Sequence, residues 1–438
     1  MFVSVVADVK KSPHHQSPLG LRCRFNDREL RPLFSRSSVD LELRDAPPVR
    51  PPPRRAALVA MREDDEETDL YDIVAYCGRQ TSECGYCASN ASSSVSDGAV
   101  AHRLTTKTYN DLIEDGWRRS GRWLYKPAIG TTCCAQHTIR LRCDAFTPSK
   151  SQRKVLKRLE AFLEKAEGED GEDGRAAKTF EITTARSTFD AEEFALWKRY
   201  QVSVHGDEES DLSARSYVRF LVDSPFEHEP AARPGTPSEG YGAFHQQYRI
   251  DGALVAVGVV DILPRGLSSK YFFWDPDYAH LSLGKVSALK EIEYVLDQKR
   301  RGASAFEFYY MGYYIHDCQK MKYKAEYAPS ELRCSTTNRW VRIEDARARL
   351  DAGEHARLSA AAPLERRVCP VDESRVALTR RGELVFVAPL NQLQLVGPAL
   401  SSLTRDAMAR LSRTQAEWCE RSGPAGANVM NVFELAAI

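Results

Sequence analysis

The chain carries no net charge, because 61 Lys and Arg balance 61 Asp and Glu. No global field therefore draws it to nucleic acid, and any such partner must be met by a local patch. It lacks any apolar run near the ~20 residues that cross a bilayer. Its opening Met1-Phe2-Val3-Ser4-Val5-Val6-Ala7 reaches Asp8 with no basic stretch before it, a poor signal peptide. Cysteine is too thinly spread for a disulfide scaffold, 11 in 438 residues and an odd number. A reducing compartment is expected, cytoplasmic or also nuclear. The Arg-rich, acid-poor stretch 20–60 leaves a mitochondrial-transit reading open. With 42% hydrophobic and 28% charged residues, the length suffices for roughly two or three domains with their own cores.

Four of the cysteines form a pattern. Cys84 and Cys87 make a C-x-x-C knuckle, and Cys133 and Cys134 are adjacent. Two pairs of soft ligands separated by a folded stretch suit a four-thiolate site for zinc or an iron–sulfur cluster, which the ligands alone do not distinguish. Neighbouring side chains on a strand point to opposite faces, so Cys133-Cys134 demands a tight turn. The plainer alternative is a pair of buried core thiols.

Composition suggests five segments. Residues 1–70 read as a disordered leader, with Pro47-Pro48, Pro51-Pro52-Pro53 and the charge block 62–67. A metal-binding N-terminal domain over 71–165 carries the four cysteines and closes with a helix. Its start is marked by a capping box, Ser149 with Gln152. Its apolar stripe is Val155, Leu156, Leu159, Phe162 and Leu163, and its opposite face is Lys150, Arg153, Lys154, Lys157 and Arg158. An acidic linker and connecting helix occupy 166–214, with helical periodicity over 180–200. A second folded unit spans 215–345, with strands at 217–222, 242–250, 254–261, 269–274 and 305–310, a hairpin turn at Asp251-Gly252, and a helix over 282–301. A C-terminal extension over 346–438 contains a strand at 383–387 and a helix over 403–419. The order strand, hairpin, strand, helix, strand is that of a GNAT-like acyltransferase, so the fold class expected is α/β.

Several ordered motifs are similar to the arginyl-tRNA–protein transferase family of the N-degron pathway. In the first unit they include Cys84-Gly85-Tyr86-Cys87, Tyr109-Asn110-Asp111-Leu112-Ile113, Gly116-Trp117-Arg118-Arg119-Ser120-Gly121 and Thr132-Cys133-Cys134. In the second they include Phe244-His245-Gln246-Gln247-Tyr248, Asp275-Pro276-Asp277-Tyr278, Tyr310-Met311-Gly312-Tyr313-Tyr314 and Lys322-Tyr323-Lys324. The likeness covers roughly 72–165 and 215–345. After the paired cysteines Ala135 and His137 depart from the family's Pro-Gln-aromatic pattern, of which Gln136 is kept, and this admits His137 as a ligand.

The resemblance implies transfer of arginine from Arg-tRNA, the co-substrate, to the α-amine of proteins beginning with Asp, Glu or oxidised Cys. Such transfer marks them for ubiquitin-dependent degradation, by a soluble and monomeric enzyme. The aminoacyl ester is already activated, so the protein must align the amine with it, accept a proton and steady an oxyanion. Asp275, His245 and Tyr310 are the catalytic candidates. Gln246, Tyr313, Lys322, Tyr323, Lys324 and Arg333 are substrate-binding candidates, and one of Tyr310, Tyr313 and Tyr314 is expected to stack on the terminal adenosine. Arg118, Arg119, Lys150, Lys154, Ser282 and Gly284 are tRNA-binding candidates, the last two opening a helix whose free amides suit an anion. Each has a plain counterpart: Asp275 as a turn opener, His245 as a core histidine, the lysines as a solvated loop. The alternatives in function are a GNAT-type acetyltransferase and a metal-dependent tRNA-binding adaptor without catalysis. Of the acetyl-CoA pyrophosphate turn Q/R-x-x-G-x-G/A only Gly284 is present, which counts against the former.

Overall fold

The computed structural model describes residues 72–87, 93–164, 177–231, 234–364, 369–371, 374–380, 383–390 and 405–434. The expected leader and the acidic stretch 167–174 lie outside them. In chain order the strands are β1 Asp72–Ser82, β2 Ser94–Arg103, β3 Arg118–Ser120, β4 Trp123–Pro127, β5 His137–Arg142, β6 Phe180–Arg186, β7 Gly242–Ile250 and β8 Ala253–Leu263. They continue as β9 Gly266–Trp274, β10 Phe308–Tyr314, β11 Ser330–Arg333, β12 Trp340–Arg342, β13 Arg375–Arg380, β14 Glu383–Pro389 and β15 Val429–Glu434. The helices are α1 Thr106–Glu114, α2 Lys150–Glu164, α3 Ala191–Tyr200, α4 Ala214–Tyr217, α5 Leu283–Arg300, α6 Gln319–Lys322, α7 Ile343–Asp351 and α8 Arg405–Ser422.

Two mixed sheets result, ordered β14-β13-β15-β1-β2-β4-β3 and β12-β11-β5-β10-β9-β8-β7-β6. The extension past 346 thus supplies three strands beside β1, and β5 leaves the cysteine-bearing segment to join the second sheet. One apolar cluster joins the sheets. It unites Val74, Leu112 and Trp117 with Leu263, Phe308, Tyr310 and Trp418. Each such side chain contributes about 1.5–3 kcal/mol by leaving water.

Local signals explain most elements. Asp251 and Gly252 both adopt positive φ, the geometry of the two-residue turn that joins β7 to β8. Ser149 Oγ accepts from Gln152 N and Gln152 Oε1 from Ser149 N, closing the capping box of α2. Three expectations shift. The segment 217–222 is helical, with α4 running into a wide turn at Val218–Val222. Its aromatic and β-branched residues read as a strand, but Tyr217 and Leu221, four apart, pack together against Trp197 and Tyr200. Residues 180–186 form the edge strand β6, and only from the Asp190 cap onward is the segment helical. The strand expected at 305–310 runs from 308 to 314.

The α/β class is as expected, and the second sheet carries the feature that matters most for function. β9 and β10 run parallel and pair only at Phe308↔Gly266, Tyr309↔Leu267 and Tyr310↔Ser268. Beyond these they separate. Gly266 permits the close start, since a Cβ there would lie 1.9 Å from the Phe308 carbonyl oxygen. Gly312, at φ +66°, sits in the irregularity between Tyr310 and Tyr313 where β10 pairs with β5.

Candidate active site and thiolate centre

The separation of β9 and β10 leaves two cavities. One faces α5 and is lined by Ser269, Tyr271, Gly284, Ser287, Tyr309, Tyr323 and Lys324 among others, with about 470 Å³ of open space. The other, about 570 Å³, is lined on the opposite side by Tyr86, Arg118, Arg119, Ser268, Lys270, Tyr313 and Lys324 among others. Ser269, Tyr271 and Lys324 belong to both.

Lys324 is buried, and its Nζ donates to the Tyr313 carbonyl at 2.5 Å. Burial, with the nearby Arg118 charge adding, brings it down to about 7. Lys270 is likewise brought down to about 7 by burial and Arg119, against the pull of Asp261. Arg119 is committed to a fully buried ion pair with Asp261. Arg118 is different. It donates to the carbonyls of Ile113 at 3.2 Å, Trp117 at 2.7 Å and Gly312 at 3.4 Å, its Nε has no partner, and no carboxylate pairs with it among the described residues. A buried guanidinium without a counter-ion, in a cavity lined by no acidic residue, suits an anionic ligand.

The remaining candidates are dispersed. Tyr313 lines the basic cavity, and its hydroxyl donates to the Gly116 carbonyl at 3.0 Å. Tyr323 and Gly284 line the α5-side cavity. Ser282 adopts φ 58° just before α5, and its Oγ accepts from Arg158 of α2 at 3.3 Å. Lys150 and Lys154 are exposed on α2, and Lys322 is exposed on α6. Arg333 pairs with Asp115 at 2.6 Å. Tyr310 is fully buried and donates to Glu114. Gln246 is buried with its amide 3.5 Å from Thr184 Oγ1. Asp275 caps the turn at Asp277 N and pairs with Arg199 at 2.8 Å. His245 lines neither cavity. Its Nδ1 bonds Glu193 at 2.5 Å and its Nε2 approaches the Leu221 carbonyl at 3.2 Å. Burial pushes Glu193 up, but His245, Gln247 and Tyr217 together hold its carboxyl below the usual range. This cluster ties α3 and α4 to β7. His245→Ala is accordingly expected to lower stability by about 1–3 kcal/mol, by taking one hydrogen-bond partner from the buried Glu193, which keeps Gln247 and Tyr217. Chemical denaturation measures it, and an unchanged midpoint would refute the structural role.

Lys270, Ser269 and Tyr271 were missed in the sequence, although a lysine inside an apolar strand is a visible signal. Tyr86 was seen only as part of the knuckle.

The sulfurs of Cys84, Cys87, Cys133 and Cys134 all lie within 4.8 Å of one another, and Cys87 Sγ is 3.7 Å from Cys133 Sγ. A turn over 128–132, with Thr131 and Thr132 amides on the Ala128 carbonyl, lets the adjacent cysteines face one point. Burial and neighbouring thiols push Cys134 up, so a shared cation is what would make all four thiolates. The set fits a metal ion. His137 is not part of it. It lies buried in β5 beside His355, ring centroids 5.9 Å apart, and burial with two neighbouring histidines brings it down to about 3. Tyr86 and Cys134 pack on Tyr313, Cys318 and Met321, so the knuckle forms a wall of the basic cavity.

Among the described residues no helix is long and apolar enough to cross a membrane. Residues 82–154 match the family described as arginine-tRNA-protein transferase, N terminus, and residues 192–334 match its C terminus. The chain is 32% identical to arginyl-tRNA–protein transferase 2 of Arabidopsis thaliana, over 66% of this chain and 78% of that one. It is 33% identical to arginyl-tRNA–protein transferase 1 of Saccharomyces cerevisiae, over 54% and 50% respectively. It is 34% identical to an aspartate/glutamate leucyltransferase of Pseudomonas putida, over 55% and 85%.

Proposed function

This chain belongs to the arginyl-tRNA–protein transferase family, and from that premise we propose how its two cavities divide the work of an aminoacyl-tRNA–protein acyltransferase. The observation that carries the proposal is the separation of β9 and β10, with Lys324 common to both cavities. The α5-side cavity receives the arginyl ester at the tRNA terminus. The basic cavity receives a polypeptide N-terminus beginning with Asp, Glu or oxidised Cys, whose acidic side chain meets Arg118 and Lys270. The relative named for leucine transfer is an aspartate/glutamate transferase, which supports an acidic acceptor shared across different donors.

The acceptor nitrogen attacks the ester carbonyl carbon. The C–N bond forms, the ester C–O bond to the ribose breaks, and Lys324 Nζ takes the proton from the amine and returns one to the ribose oxygen. At about 7, Lys324 can do both near neutrality. Holding the two reactants across one opening supplies ~7 kcal/mol or more of the barrier reduction. The four cysteines would hold a zinc ion or an iron–sulfur cluster, all four sulfurs lying within 4.8 Å of one another. Its contribution is to fix the wall bearing Tyr86. Thiols in this state suit a reducing compartment, the cytoplasm or nucleus, and the arginylated product would enter ubiquitin-dependent degradation.

The exposed basic face of α2 reaches the start of α5 through Arg158, on His280 O at 3.0 Å and on Ser282, and offers a path for tRNA phosphates toward the donor cavity. Lys154→Glu is expected to raise KM for Arg-tRNA several-fold and to reduce the salt slope of binding by about 1, with KM for peptide unchanged. Equal effects on both substrates would count against this path. The whole reading is tested by incubating the purified chain with Arg-tRNA and an Asp-starting peptide. The peptide gains one arginine residue at its N-terminus; recovery of unmodified peptide rejects the proposal.

A further inference from the structure

Glu291, on α5, is fully buried against the second sheet. Its Oε2 accepts from the Tyr309 hydroxyl at 2.6 Å and its Oε1 from Ser287 at 2.9 Å, and the Ser269 side chain also bonds it. All three partners line the α5-side cavity. The carboxyl therefore stands behind a ring of hydroxyls at the edge of that space. Gly258 of β8 leaves it room, since a Cβ there would come within 3.2 Å of Oε1. No lysine or arginine is among its hydrogen-bond partners in the described residues. The one lysine lining the same cavity, Lys324, directs Nζ to the Tyr313 carbonyl and the Met321 sulfur instead. Burial pushes the Glu291 carboxyl above its usual range. A buried acid without a cation, one layer of hydroxyls behind a cavity that would take a donor amino acid, favours positive charge in that cavity.

We propose that Glu291 sets the specificity for the donor from behind the α5-side cavity: its carboxylate accepts from Tyr309, Ser287 and Ser269, so that their hydroxyl oxygens face the cavity as acceptors for the guanidinium of the arginyl group. The inference rests on the assignment of that cavity to the donor. The chemistry favours it: a guanidinium presents several N–H groups to acceptor oxygens, and the carboxylate's charge behind those hydroxyls favours a cation over a neutral group of the same size. Glu291 holds the Tyr309 and Ser287 hydroxyls in place beforehand, so little ordering is required when the ligand arrives. A guanidinium also restores the ionised form that burial disfavours.

The test uses one tRNA charged either with arginine or, chemically, with citrulline, in which a neutral urea replaces the guanidinium at nearly equal size. The purified full chain is assayed on an Asp-starting peptide, and kcat/KM is compared for the two donors. The wild-type chain is expected to favour arginine by about 10–100-fold. Glu291→Gln keeps the side chain's size and its bonds to the hydroxyls but removes the charge, and is expected to bring the ratio near unity. An unchanged ratio in the variant, or no preference in the wild type, overturns the assignment. A carboxyl that merely pinned α5 to β9 and β10 would lower stability and leave the ratio alone. Should the Gln variant not fold, Glu291→Asp, which withdraws the carboxylate by one methylene, is expected to narrow the ratio, and a constant ratio there is equally decisive. Wild-type protein that transfers neither amino acid would instead overturn the transferase reading beneath it.

Discussion

Replacement of Lys324 by methionine is expected to lower kcat for peptide arginylation by about 10²–10⁴-fold while leaving the fold intact. The direction follows from its surroundings. Nζ sits in a space shared by both cavities, and burial with Arg118 brings it down to about 7. Below that pH the ammonium has no lone pair with which to accept a proton, and above it the neutral amine does. The rate of the wild-type chain should therefore climb as pH rises through about 7. A second limb near ~8 belongs to the acceptor's own α-amine. Lys324→Met removes the first limb and keeps the second. Methionine suits the site, which already places Met321 sulfur 3.9 Å from Nζ; the relief of a charge-prone group in the interior offsets the loss of the bond to the Tyr313 carbonyl, about 1–3 kcal/mol. A folded variant whose lower limb and kcat are preserved would remove Lys324 from the chemistry.

Loss of the thiolate centre should have the next largest effect. Cys84→Ser and Cys133→Ser are each expected to abolish bound metal, seen by elemental analysis, and to lower the melting temperature. The apparent binding energy of four-thiolate zinc in small domains is about 10–16 kcal/mol, far above what the short turn at 84–87 could supply unaided. Because Tyr86 and Cys134 pack on Tyr313 and Met321, the damage should spread to the acceptor cavity. KM for peptide rises about tenfold, equivalent to ~1.4 kcal/mol of lost contact. KM for Arg-tRNA should move less, since no residue from 84–87 or 133–134 lines the α5-side cavity. Retained metal in either variant, or equal shifts for both substrates, contradicts this division.

The parts of this molecule that were legible in its sequence are those specified by neighbours along the chain. The Asp251-Gly252 turn, the Ser149–Gln152 box, the length of α5 and the spacing of the cysteines all state their geometry locally. The helix at 217–222 was not legible, because residues of high strand propensity there are overruled by packing on Trp197 and Tyr200. Nor was the second sheet's opening, which begins past a close approach of β9 to β10 (a feature that a pattern of apolar residues does not encode). Among the site candidates, Lys324, Tyr313, Tyr323, Gly284, Arg118 and Arg119 meet at the two cavities. Asp275 and His245 are engaged with Arg199 and Glu193 outside them. A chemically apt residue in a family motif can be held by scaffold bonds, and only the fold distinguishes the two.

β1 pairs in parallel with β15, and β15 with β13, so the first sheet takes a central strand from residues 429–434. On the ribosome, at about 5–20 residues per second, β1 emerges roughly 20–70 s before that partner is synthesised. During this interval its open flank is a template for foreign strands, and a nascent-chain chaperone would be useful there. β2 and β4, by contrast, are available almost at once, so the cysteines can gather their ion on a half-built sheet long before translation ends.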